Sequence, residues 1–293
     1  MLRKLRPFAS ILVLLLTIGL MVRYVITNPE VINRLKELDL IYIALIAALY
    51  LGIIAVLTII NSISVELCGK KISFSESFKL TSSSSLANFF GPLQSGVGIR
   101  AIYFKTKLKI PIKQYVVASL FYYALYAVMS GIFLLFGNAQ YRLPLLGLLI
   151  LGAATSAWFI KWRVAKLTIK SYVFSPRIFS KLILAVFVQM ILITAIYFIE
   201  LYALGKTPSL AQVISYSGAA NFSLFVAITP GAIGIREAFL LFSERLHHID
   251  SQTIIAANLI DRSVYVLFLG LLFLWLLATH TKVTLKSNSS IHS

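Results

Sequence analysis

A single cysteine, Cys68, stands among 293 residues, so the chain can form no internal disulfide and no thiolate metal cluster. Histidine is nearly as scarce. Of four, only His247 and His248 adjoin, beside Asp250, and without a spaced ligand set around them they read as part of a solvated loop. Acidic residues are few, ten against 27 lysines and arginines. No Ser/His/Asp triad or carboxylate pair can be built from their spacing, no nucleotide-binding motif is present, and no cofactor is expected. The net charge of +17 would suit nucleic acid in a soluble protein. Here no basic stripe with interleaved aromatics lies outside the apolar runs, so nucleic acid is set aside as a partner.

What the sequence has in abundance is apolar residues, 59% of the chain, gathered in long runs. A run of about 20 such residues, wound as a helix, matches the roughly 30 Å hydrocarbon thickness of a bilayer. Only a helix or a closed barrel satisfies its own backbone there. Period-2 alternation is absent, which argues against a barrel. The pattern predicts an all-α, polytopic integral membrane bundle. Spans are expected at 8–26, 40–64, 115–136, 143–161, 179–203 and 252–279. The first follows Arg3, Lys4 and Arg6 and lacks a small-residue cleavage site, so it reads as a retained helix rather than a signal peptide.

Two further stretches, 74–97 and 210–235, are apolar but carry Ser, Asn, Gly and Pro. Gly91-Pro92 and Pro230-Gly231 would break a helix, and broken backbone at membrane depth is tolerated where protein or a watery cavity surrounds it. Both are expected to be re-entrant hairpins. Charge then orients the chain. The loop with Arg100, Lys105, Lys107, Lys109 and Lys113, and the one with Lys161, Arg163, Lys166, Lys170, Arg177 and Lys181, contain no acid and are placed inside. This puts the amino terminus in the cytoplasm of a cell-membrane protein. If 210–235 is re-entrant, the carboxyl terminus lies there too.

The chain also repeats itself. Cys68-Gly69-Lys70-Lys71-Ile72-Ser73-Phe74 is answered by Leu204-Gly205-Lys206-Thr207-Pro208-Ser209-Leu210, Ala87-Asn88-Phe89 by Ala220-Asn221-Phe222, and Gly98-Ile99-Arg100 by Gly234-Ile235-Arg236. Three matches in the same order mark two units, 40–136 and 179–279. The remainder divides into an amino-terminal span and loop (1–39), a connecting span and basic loop (137–178) and a disordered tail (280–293). Three crossings separate the unit starts, so the repeats are expected to face opposite ways, as in many transporters whose broken helices meet near the midplane.

The segment Pro230-Gly231-Ala232-Ile233-Gly234-Ile235-Arg236-Glu237 could hold an anionic head group. Glycines let backbone N–H groups approach, a helix amino terminus follows, and Arg236 offers a planar fork for phosphate oxygens. Asn88, Pro92, Gly96, Gly98, Arg100, Asn221, Pro230, Gly231, Gly234, Arg236 and Glu237 are the candidate substrate-binding residues. Against this, Arg236 could simply pair with Glu237 or Asp261. Asp261 and Arg262 sit about 13 to 15 Å into the last span, where a charge costs several kcal/mol unless paired or wet. Their candidate partners are Arg236, Glu237 and Glu200. The run Thr81–Ser85 reads as a polar loop or the lining of a cavity, and Tyr122, Tyr123 and Tyr126 as packing or interface residues.

These residues resemble the membrane region of lysylphosphatidylglycerol synthases and their flippase-like relatives. Asn88, Pro92, Gly96 and Arg100 are similar to that family's Asn…Pro…Gly-Glu-x-x-Arg, and Pro230 to Ala238 to its Pro-Gly-Gly-x-Gly-x-Arg-Glu-Ala. Val97 stands where the family usually has Glu, and Phe121-Tyr122-Tyr123 where an acidic, Arg-containing motif is expected. The resemblance implies a lipid-translocating region without the aminoacyl-transferring domain, and the glycine and arginine segments point to anionic or phosphate-containing membrane lipids as its partners. Two other readings stay open: a membrane transferase using Glu237 or Asp261 as a base on a lipid-linked sugar, and a non-catalytic partner of a glycosyltransferase.

Overall fold

The computed structural model describes residues 38–90, 95–136, 175–224 and 235–289, with isolated positions between 23 and 37 and at 143, 146 and 147; side chains are described as far as 279. The helices are α1 (Leu40–Leu67), α2 (Phe74–Phe90), α3 (Gly96–Lys107), α4 (Ile112–Phe136), α5 (Pro176–Ala203), α6 (Leu210–Ser223), α7 (Ile235–Phe242), α8 (Glu244–His247) and α9 (Ser251–Ser289). The described residues are all-helical, without strands. α1, α4, α5 and the Ser251–Thr279 part of α9 are long and apolar enough to cross a membrane. The expected spans at 8–26 and 143–161 lie outside the described residues. α9 runs on to Ser289, so the tail expected to be disordered from 280 is helical over its first part.

The two units share an element order of long, short, short, long, with α8 added in the second. The likeness extends to single hydrogen bonds. α1 ends with Gly69 N–H on Glu66 O at 2.9 Å and Lys70 N–H on Val65 O at 3.1 Å; α5 ends with Gly205 N–H on Tyr202 O at 2.9 Å and Lys206 N–H on Leu201 O at 3.1 Å. Both glycines are left-handed, φ 70° and 71°, the conformation this helix closure needs and L side chains avoid. Four residues on, Ser73 and Ser209 cap the next helix: Ser73 Oγ accepts from Glu76 N at 3.3 Å, Ser209 Oγ from Gln212 N at 3.3 Å.

α2, of 17 residues, and α6, of 14, are shorter than the long helices they follow. α2 packs against α3, where Asn88 Oδ1 accepts from Gly96 N at 2.8 Å. A Cβ on Gly96 would lie 2.2 Å from Ser84 O, so the two helices touch backbone to backbone. α6 meets α4 in the same manner: a Cβ on Gly218 would lie 2.2 Å from Leu134 N.

Polarity is reversed relative to a soluble bundle. Ile183, Leu184, Phe187, Ile191 and Phe198 face outward from α5, whereas Asn61, Ser64, Ser77, Thr81, Ser82, Ser84 and Ser85 are buried. The 81–85 run is therefore part of a helix interior, not a loop. Thr81, Ser83, Ser84 and Ser85 each donate to the carbonyl four residues earlier, at 2.7–3.0 Å, which satisfies each hydroxyl within its own helix and lets it be buried.

Candidate functional site

Glu200, Arg236, Glu237, Asp261 and Arg262 of the second unit converge inside the bundle. Arg236, on the first turn of α7, places Nη1 2.5 Å from Asp261 Oδ2 on α9. Its guanidinium also lies over the Tyr197 ring of α5, 5.4 Å from the centroid. Arg262, next to Asp261 but on a different face of α9, bonds Glu237 through Nε at 2.8 Å and through Nη2. The adjacent residues of α7 and α9 thus form two side-by-side ion pairs, because neighbours on a helix point about 100° apart. Of the partners expected for Asp261 and Arg262, Arg236 and Glu237 are the ones engaged. Tyr50 of α1 donates its hydroxyl to the other Asp261 oxygen.

Glu200 of α5 belongs to the same cluster but pairs with neither arginine. It is fully buried, with no hydrogen-bond donor at either oxygen, and it faces the Asp261 carboxyl.

The first unit builds a different version of this arrangement. Arg100, 8% exposed, stands in α3 where Arg236 stands in α7. Counted from the helix start, Tyr122 and Tyr123 are the eleventh and twelfth residues of α4, as Asp261 and Arg262 are of α9. Both tyrosines face Arg100, and among the described residues Arg100 forms no ion pair. By the same count Ser64 of α1 takes the place of Glu200. One unit is therefore charged and paired, the other hydroxyl-lined around a single cation.

A row of tyrosines joins the halves. The Tyr122 hydroxyl meets Gln189 of α5 at 3.2–3.3 Å. Its ring lies 5.8 Å from that of Tyr126, whose hydroxyl donates to Asn221 Oδ1 of α6 at 2.7 Å. Tyr126 faces both Tyr197 and Arg236. Tyr122 and Tyr126, read from sequence as packing or interface residues, are thus interior polar groups linking Arg100 to Arg236. Tyr50, Tyr197 and Gln189 were not singled out by sequence reasoning; a hydroxyl or amide within an apolar run is the signal that marks them.

Among the described residues, several guanidinium donors inside the bundle have no acceptor: Nε of Arg100, and Nε and Nη2 of Arg236. Leaving a buried donor unsatisfied costs about 1–3 kcal/mol, so both repeats hold arginines with bonding capacity beyond what the protein uses.

The other expected site residues divide. Asn88 and Gly96 hold α2 to α3 by their hydrogen bond, and Asn221 bonds Tyr126. A Cβ on Gly98 would meet nothing within 4 Å. Pro92, Pro230, Gly231 and Gly234 lie outside the described residues. His247 does not sit in a solvated loop: it is buried in α8, with Nδ1 accepting from Ile249 N at 3.2 Å and Nε2 donating to Leu240 O at 3.1 Å. Burial draws its imidazole down to about 4.

The family model described as the lysylphosphatidylglycerol synthase TM region matches residues 8–272. No curated protein matches the sequence.

Proposed function

Because the chain belongs to the family of the lysylphosphatidylglycerol synthase transmembrane region, and so is a membrane protein of lipid handling, we propose that it is a flippase-like transporter moving a phosphate-bearing lipid between leaflets. The observation that carries this reading is the set of buried, unsatisfied guanidinium donors, one arginine per repeat, joined by the tyrosine row. Phosphate oxygens are the natural acceptors for such forks. Arg100 is the primary head-group contact, since among the described residues no acid pairs with it, and Arg236 offers nitrogens that Asp261 does not engage. A phospholipid or a polyprenyl-phosphate sugar carrier has the required chemistry: an anionic head for the chamber and acyl or isoprenoid chains for the apolar exterior.

The two units act as inverted repeats with α2–α3 and α6–α7 as re-entrant hairpins, and rocking of one against the other opens the chamber to each leaflet in turn. The protein resides in the cell membrane with its amino terminus inside. It leaves the lipid chemically unchanged.

Proteoliposomes containing the protein and head-group- or tail-labelled phosphatidylglycerol test this. Label crosses faster than in empty vesicles, Arg100→Ala abolishes the gain, and the lipid keeps its mass. A panel of anionic and isoprenoid lipids none of which moves faster would overturn the reading, and a change of lipid mass would replace it with a transferase.

A further inference from the structure

Among the described residues, the buried charges of the two units leave one cation and one acid outside any ion pair. Arg236 is matched by Asp261 and Arg262 by Glu237, which leaves Arg100 as a cation and Glu200 as an acid. The groups that face Glu200 or its neighbours come from every element around it. Tyr50 lies on α1, Tyr197 on α5 itself, Tyr216 on α6, Arg236 on α7, and Asp261 and Arg262 on α9. From α4, Tyr126 faces Arg236 and Tyr197. The cation nearest in function, Arg236, is already bonded to Asp261 at 2.5 Å.

Two carboxyls that face each other in a buried site disfavour the doubly ionised state, so one of them binds a proton more readily. Asp261 receives the Arg236 and Tyr50 donors, so the proton belongs on Glu200, whose oxygens receive none. With Glu200 neutral the chamber carries one net positive charge, that of Arg100, and accepts one negative head-group charge. With Glu200 ionised the chamber is already neutral and an added phosphate meets a carboxylate instead.

Resting on the lipid-transport reading above, we propose that Glu200 carries a proton that travels with each anionic lipid, so that the two bind and cross together. The binding of each strengthens the binding of the other, as linkage requires. No bond other than the Glu200 O–H is made or broken: the proton enters from the side where the lipid binds and leaves on the side where it is released. Energy for uphill lipid movement comes from the proton gradient.

The test uses the intact chain in proteoliposomes containing labelled phosphatidylglycerol, with a pH difference imposed across the membrane. One proton per singly charged lipid makes a gradient of one pH unit shift the leaflet distribution of the label by about tenfold. Lipid binding in weakly buffered detergent solution takes up protons, approaching one per lipid at a pH where Glu200 is ionised in the lipid-free protein. Glu200→Gln, whose amide releases no proton, loses both effects. A wild-type protein that moves lipid quickly but to a distribution indifferent to the gradient overturns the proton inference and leaves lipid transport standing. Should the variant fail to fold, the infrared spectrum of the wild type decides: a protonated carboxyl band at neutral pH that strengthens when phosphatidylglycerol is added supports Glu200, and its absence overturns it. Wild-type protein that moves no lipid at all is the failure of the transport reading, a result the infrared band does not depend on.

Discussion

Arg236 and Asp261 meet at 2.5 Å between α7 and α9, and the matching positions of the first repeat hold Arg100 and Tyr122. The same backbone motif therefore presents one arginine whose charge is matched and one whose charge is not. Replacing an acid by tyrosine at the eleventh residue of the closing helix keeps a polar group facing the guanidinium while removing its counter-charge. On the proposed reading, the second repeat is the rigid half of the site and the first the half that recognises an anion.

The first prediction concerns stability in the charged half. Asp261→Ala leaves Arg236 buried without a counter-charge, and breaking such a pair from one side costs about 3–5 kcal/mol. Arg236→Met combined with Asp261→Leu removes both charges and recovers most of that loss. Thermal unfolding of the detergent-purified proteins measures it. A single Asp261→Ala variant as stable as the wild type would show that the pair does not hold α7 against α9.

Arg100 gives the opposite pattern. Among the described residues it has no ion pair to lose, so Arg100→Ala changes stability by less than Asp261→Ala does, while anionic-lipid binding falls by an order of magnitude or more, on the scale of about 1.5–3 kcal/mol for a lost hydrogen bond to a charged group. Tyr122→Asp supplies the carboxylate that the second repeat already has. It weakens lipid binding as strongly as Arg100→Ala with the fold intact, because the new acid occupies the guanidinium. Titration with short-chain phosphatidylglycerol reads both variants, and undiminished binding by Tyr122→Asp would show that Arg100 does not contact the head group.

How much of this could be read from sequence follows from where the information lies. The long helices were legible because a span needs only a run of apolar residues. The repeat was legible because Gly69 and Gly205 each end a helix in the left-handed turn and Ser73 and Ser209 each start the next. The pairing of Asp261 and Arg262 with Arg236 and Glu237 was within reach, since charges in a span demand partners and few exist. The tyrosines were not. Tyr126 finds Asn221 95 residues away, and Tyr50 finds Asp261 211 residues away, and no local spacing encodes either contact. The 81–85 run was misread for a related reason: serine and threonine favour loops in water, but in α2 Thr81, Ser83, Ser84 and Ser85 bond their own helix backbone.

Glycine positions separate packing from binding. At Gly218 an added Cβ would lie 2.2 Å from Leu134 N and 2.7 Å from Ser130 O, both backbone atoms that cannot step aside without parting α4 from α6. Gly218→Ala is therefore destabilising by about 1–3 kcal/mol, the range for overpacking. At Gly98 nothing lies within 4 Å of the added methyl, and alanine in a helix interior gains about 0.5–1 kcal/mol over glycine. Gly98→Ala thus leaves the protein at least as stable as before. If it also weakens phosphatidylglycerol binding, the open space in front of Gly98 is where the head group approaches the α3 backbone.

The last prediction is a pH dependence that arises away from the spans. His247 is held neutral in α8, accepting from Ile249 N and donating to Leu240 O, so a second ring proton would replace an acceptor with a donor facing another N–H. Burial lowers the folded imidazole to about 4, below its value near 6.5 in an unfolded chain. The folded state therefore binds fewer protons between these two values, and stability rises with pH through that window. The contribution is fully present above about pH 6.5 and is lost as pH falls toward 4, amounting to about 3 kcal/mol at most. Unfolding temperatures measured from pH 7 down to pH 4 in detergent fall more steeply for the wild type than for His247→Gln, whose amide offers the same acceptor and donor without a titrating ring. Parallel curves for the two proteins would assign the acid sensitivity to another group.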